Sequence, residues 1–134
     1  MSEFVQKLRR GIVPTRTDYT NHLIEFHAQY TGVAEDLVVL RGTTEGKSSY
    51  KVLLDAVPDP SGKAIVDLAS GSGPLTELSL KRVGPLGKVI TIDISLEELH
   101  RAQARANCQN GFFIQATAQS FPLIAGCDCM YGRI

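Results

Sequence analysis

Hydrophobic positions change their period partway along the chain. Phe4, Val5 and Leu8 form a first short apolar set, with Ser2 placed to cap it. After Pro14, Thr17 or Asp18 can cap a second helix on which Leu23, Phe26, His27 and Tyr30 recur at i, i+3, i+4 and i+7, the spacing of one buried face. Val33, Leu37 and Leu40 make a third stripe. Gly42 to Gly46 interrupts the pattern, and Tyr50, Leu53, Leu54 and Val57 restore helical spacing as far as Pro58.

The run Pro58-Asp59-Pro60-Ser61-Gly62-Lys63 is a dense turn signal. Beyond it short apolar runs alternate with helix-like stretches, the pattern of a parallel sheet with crossover helices. Strands are expected at 64–68, 88–93, 112–116 and 127–131. Pro74 suits the first turn of a helix over 74–83, which Gly84-Pro85-Leu86-Gly87 stops. Ser95-Leu96-Glu97-Glu98 reads as a capping box opening a helix to about Asn107, with Leu99, Ala102 and Ala106 on its inner face. The expected architecture is α/β: a helical lid over 1–60, then the sheet over 61–134.

At 134 residues and 43% hydrophobic content the chain is sized for one core. Its 14 basic and 14 acidic side chains cancel, so no long-range field draws it to nucleic acid or to a membrane surface, and neither is expected as a partner. Cys108, Cys127 and Cys129 are odd in number, and the last two are spaced C-x-C, which fits neither zinc nor redox motifs. They are expected to be reduced and no metal is expected; Cys127 and Cys129 would need two further ligands, with only His100 and Cys108 near in sequence. Met1 to Arg10 lacks the apolar core of a signal peptide, so a soluble, cytoplasmic protein is expected.

The chemistry concentrates after the first strand. A strand ending near Asp67 and turning through Gly71 and Gly73 into a helix sets backbone N–H groups and a helix N-terminus at the sheet's carboxyl edge, where ligands bind. Asp93 ends the neighbouring strand, and a carboxylate there can accept hydrogen bonds from both ribose hydroxyls. Asp67 discriminates between ligands. Four residues ahead of Gly71, it would repel a pyrophosphate and hold a positive amino group. Thr76 replaces the third glycine of the dinucleotide fingerprint, which argues further against nicotinamide or flavin.

Asp67-Leu68-Ala69-Ser70-Gly71-Ser72-Gly73 resembles the first motif, acid-x-Gly-x-Gly-x-Gly, of class I Rossmann-like S-adenosylmethionine-dependent methyltransferases of the small-molecule type, with Ala69 in place of the first glycine. Ala116-Thr117-Ala118-Gln119-Ser120-Phe121-Pro122-Leu123 is similar to the family's Gly-Asp-Ala-Glu-x-Leu-Pro-Phe motif, with Thr117 where the acid usually stands. Cys127-Asp128-Cys129-Met130 resembles its fourth strand. The resemblance implies S-adenosylmethionine as cofactor, S-adenosylhomocysteine as product and a small-molecule acceptor. It implies that Asp67 engages the methionine end, that Ala69, Ser70, Gly71 and Gly73 pack against it, and that Asp93 holds the ribose. Ile94, Thr117, Ala118 and Gln119 would surround the adenine, and Tyr50 would reach the cofactor from the lid.

Tyr19, His22, His27, Tyr30 and Tyr50 fall in the lid, where His27 or a tyrosine could serve as a base; on apolar stripes they read more simply as packing residues. Arg9, Arg10 and Arg16 read as a solvated face. No catalytic residue is assigned, because methyl transfer chiefly needs alignment and exclusion of water. The resemblance implies a strand order 3-2-1-4 continuing into further strands, so the chain is expected to be a fragment truncated after strand four, or to self-associate through that strand's edge. The alternatives are a non-catalytic cofactor-binding module, half of a split assembly, and a nicotinamide-binding oxidoreductase domain.

Overall fold

The structure is a computed structural model and describes residues 1–30, 48–106, 110–120 and 126–132. Helices α1 (Glu3–Arg9), α2 (Arg16–Gln29) and α3 (Ser49–Asp55) precede β1 (Ala64–Leu68), α4 (Pro74–Val83), β2 (Lys88–Asp93), α5 (Leu96–Ala106), β3 (Gly111–Gln115) and β4 (Cys129–Gly132). All strand pairs are parallel, as the pattern of apolar runs predicts, and the order is β3-β2-β1-β4, as the family resemblance implies. The first two strands and α4 carry the expected bounds, because Pro74 and Gly84-Pro85 punctuate them. Strand β3 begins one residue earlier than expected, and β4 two residues later, because Asp128 is engaged at the start of β1. There Ala64 donates its N–H to Asp128 Oδ2 at 2.8 Å, and Asp128 donates its own N–H to the Ala64 carbonyl at 2.9 Å.

The core lies between the sheet and α4. Ile65, Leu80, Val83 and Val89 form one cluster, and Tyr50, Leu54 and Leu75 a second, with Tyr131 of β4 packed against both. Burial and the nearby Asp67 carboxylate raise the Tyr131 phenol and keep it neutral. On α3 the predicted stripe is only partly inside: Tyr50 and Leu54 are buried, whereas Leu53 stands 37% exposed.

The N-terminal helices depart further from expectation. Ser2 caps α1 as predicted. The α1 C-terminus closes with Gly11 at φ +70°, Gly11 N–H donating to the Leu8 carbonyl and Ile12 N–H to the Lys7 carbonyl, a Schellman arrangement. Neither Thr17 nor Asp18 caps α2. Thr15 does, with Asp18 at the third helical position in a reciprocal capping box. The Asp18 carboxylate accepts from Lys7 Nζ at 2.9 Å and from the Thr15 N–H and hydroxyl, and these partners, Lys7 first, hold it down at about 2.

The Leu23, Phe26, His27 and Tyr30 stripe is not a buried face: Phe26 and Tyr30 are exposed and meet in a tilted ring contact with centroids 5.0 Å apart. The described elements against α2 are α1 and α5 rather than a sheet, so half the stripe meets no core. The third stripe at Val33, Leu37 and Leu40, the break at Gly42 to Gly46, and Asn107, Cys108 and Phe121-Pro122-Leu123 lie outside the described residues. Among the described residues no helix is long and apolar enough to cross a membrane, Cys127 and Cys129 are free thiols, and no cluster of His, Cys, Asp and Glu could hold a metal.

Candidate cofactor site

Beyond Leu68 the chain must reverse within a few residues to lay α4 back along the sheet. It does so through Ala69, Gly71 and Gly73, all in the left-handed region at φ +55°, +55° and +80°. Gly73 is the N-cap of α4 and Pro74 its first residue. A Cβ on Gly73 would stand 2.5 Å from Ala102 Cβ and 2.8 Å from Ala102 Cα, so this glycine sets the close packing of α4 on α5. It is not among the residues lining the cavity described below. Ala69 bears a side chain in a conformation that costs an L-residue roughly 1–2 kcal/mol.

Two carboxylates flank this turn. Asp93, at the end of β2, accepts the Gly71 N–H on Oδ2 at 2.8 Å and the Ser95 N–H on Oδ1 at 2.9 Å. It therefore ties the glycine turn to the start of α5, and each oxygen retains a lone pair. Because Asp93 takes the Ser95 N–H, the predicted capping box is only half made: Ser95 Oγ accepts from the Glu98 N–H at 3.3 Å and donates to Glu97. The Glu98 carboxylate is instead buried, 3.8 Å from Nδ1 of His27 on α2.

Asp67 is 1% exposed on β1. Thr76 donates its hydroxyl to Asp67 Oδ2 and lies 3.1 Å from the Thr91 hydroxyl on β2. Burial pushes the Asp67 carboxyl up to about 7, against the lowering effect of Thr76 and with a smaller upward push from Asp93. In sequence Thr76 stands out only as the residue in place of a third glycine. Its role as the carboxylate's donor was carried by no sequence signal beyond its place in the first turn of α4.

These groups open into a cavity of about 590 Å³. Asp67, Ala69, Ser70, Gly71, Asp93 and Ile94 line its floor, Tyr50 enters from α3, and Thr117, Ala118 and Gln119 close the β3 side. Every sequence-expected site residue except Gly73 thus lies on one cavity. Helix α2 supplies a wall the motifs do not mark, with Arg16, Tyr19, Thr20, Leu23 and His27. Arg16, expected on a solvated face, lines the cavity and donates a hydrogen bond to Gln119, joining α2 to the loop after β3.

The residues fit a ligand with a cationic group and a vicinal diol. A desolvated carboxylate held near neutrality gains from a positive partner, Asp93 offers an acceptor on each oxygen, and the turn presents backbone rather than side chains.

The fold has solved counterparts. A methyltransferase dependent on S-adenosylmethionine from Aquifex aeolicus superposes with a TM-score of 0.56 at 23% identity, over 63% of this chain and 47% of its own. Another from Thiobacillus denitrificans, solved with S-adenosyl-L-homocysteine, gives 0.55 at 22% identity, over 68% of this chain and 36% of its own. In sequence, the Legionella pneumophila protein named ubiquinone/menaquinone biosynthesis C-methyltransferase UbiE is 40% identical over 65 residues, 46% of this chain and 26% of that protein. Its namesake from Methylococcus capsulatus is 42% identical over 55 residues, 41% of this chain and 22% of that protein. The matched stretches thus span about a quarter of these relatives. The sequence model of one family reaches further, over residues 36–131, taking in the glycine turn, both carboxylates and most of β4, and by that match the chain belongs to the ubiE/COQ5 methyltransferase family.

Proposed function

We propose that this chain carries the S-adenosylmethionine site of a methyltransferase acting on a small molecule, an aromatic ring of the kind that ubiquinone/menaquinone biosynthesis, named in its relatives, would present. The carrying observation is the pair of buried carboxylates, Asp67 and Asp93, on adjacent strand ends either side of one glycine turn. The cofactor supplies an electrophilic methyl group on a positively charged sulfur. Asp67 would hold its amino group, Asp93 its ribose hydroxyls, and Ile94, Thr117, Ala118 and Gln119 its adenine, while Tyr50 covers it from α3.

What the chain adds is placement and dryness. Leu23, Leu75 and Ile92 give the cavity apolar walls, which suit a planar ring and keep water from the reacting face. His27, set near the buried Glu98, is the cavity residue placed to take a proton from an acceptor hydroxyl. The sheet domain over 61–134 would hold the cofactor, and the lid over 1–60 would cover it through Tyr50 and wall the acceptor side.

Calorimetry with S-adenosylhomocysteine and with NAD tests this reading. Micromolar binding of the former, weakened at least about tenfold in Asp93→Ala, is expected. Binding of NAD with no response to S-adenosylhomocysteine would sink it. Methyl release to a hydroquinone then separates a transferase from a binding module.

A further inference from the structure

Overall neutrality conceals an uneven distribution of charge at the N-terminus. Among residues 1–30 the acids are Glu3, Asp18 and Glu25, and the bases are Lys7, Arg9, Arg10 and Arg16. Lys7 is taken up by Glu3 at 3.0 Å and Asp18 at 2.9 Å. Arg9, Arg10 and Arg16 are left exposed around the α1–α2 turn, and the partner that Arg16 has in Gln119 is neutral.

The same turn displays aliphatic side chains. Leu8 is 53% exposed, Ile12 51% and Val13 88%. In a Schellman turn the residue at the Ile12 position usually packs back on the helix residue that accepts its N–H. That residue is Lys7, committed to two carboxylates, and Ile12 stays half exposed. Pro14 fixes the next step and the Thr15 cap begins α2 at once. The backbone therefore holds two aliphatic side chains outward in a defined turn, ringed by guanidinium groups that have no carboxylate partner among the described residues.

We propose that this turn is a membrane-surface contact: Leu8, Ile12 and Val13 enter the headgroup boundary of an anionic phospholipid bilayer while Arg9, Arg10 and Arg16 meet its phosphates. Apolar side chains flanked by basic ones are what such an interface binds, the first by burial and the second by surface potential. This departs from the expectation drawn from net charge, which averages over the molecule what a surface meets locally. The contact itself does not depend on the proposed chemistry. Its consequence does: Arg16 and Tyr19, within the first turns of α2, also line the cavity, so an apolar acceptor could pass from the bilayer to the site.

Co-sedimentation of the chain with vesicles of phosphatidylcholine, alone or mixed with phosphatidylglycerol, tests the contact. Pelleting with the anionic vesicles, falling as salt is raised, is expected. Arg9→Gln and Arg10→Gln should each weaken it roughly fivefold, and Ile12→Ser with Val13→Ser by about tenfold or more, with S-adenosylhomocysteine affinity unchanged. The chain has no tryptophan, so Val13→Trp gives a single reporter whose emission should shift to the blue on those vesicles. No pelleting, pelleting undiminished in the Ile12 and Val13 variant, or binding to polyglutamate but not to vesicles would each overturn the contact. Loss of S-adenosylhomocysteine binding alone would instead count against the proposed function.

Discussion

The Thr76 hydroxyl donates a 2.6 Å hydrogen bond to Oδ2 of Asp67, at a point where neither residue meets solvent. A helix residue thereby steadies a carboxylate on the facing strand, in the floor of the cavity, and the pair makes the site sensitive to pH.

Asp67 titrates at about 7 in the folded chain against an ordinary 3.8. Between those values the folded state holds a proton that the unfolded state has lost. Without ligand, stability should be full below about pH 4 and decline as the pH rises toward 7, and Asp67→Asn should flatten that slope in thermal melts. A cationic ligand demands the ionised form, so affinity for S-adenosylhomocysteine should climb toward tenfold per unit between pH 5 and 7 and level off above. Thr76→Val removes the donor and should move the plateau to higher pH. A flat affinity profile in the unmodified chain would refute this account.

Gly73 and Ala69 share a left-handed backbone and should answer oppositely to substitution. Gly73→Ala forces a methyl into Ala102 and strains φ, a combined loss of about 2–4 kcal/mol in urea denaturation.

Ala69→Gly removes a Cβ from an unfavourable φ while loosening the unfolded chain, and the first effect is the larger. A gain of up to about 1 kcal/mol in unfolding free energy, read as a higher urea midpoint, is expected. Destabilisation by this change would mean that the methyl packs usefully in the turn.

The sheet was legible in the sequence because its signals are local. Short apolar runs, Pro74, and the Gly84-Pro85-Leu86-Gly87 stop each act within a few residues, and Asp67, Gly71 and Asp93 fall on one edge once the strands are parallel. The α2 cap was equally local and was misassigned: Thr15 and Asp18 carry capping-box spacing, and Thr17 lies between them as a decoy. Burial on α2 was less legible, since periodicity marks a face but not whether a neighbour meets it. The Asp67–Thr76 bond and the Arg16–Gln119 bond join residues 9 and 103 apart. Such pairings depend on how a turn aims its side chains, which residue spacing does not encode.

The double hydrogen bond between Ala64 and Asp128 bears on the order of assembly. Strands β1 to β3 reach their partners across single crossover helices, whereas β4 grips the head of β1 from 64 residues away. Contacts so distant in sequence form late, after the entropy of closing the intervening chain has been met. The glycine turn and both carboxylates belong to the early, locally closed part. Tyr131 stands opposite Asp67, so the desolvation that raises the site's unusual acid is expected to be completed last, by the strand most remote from its motif.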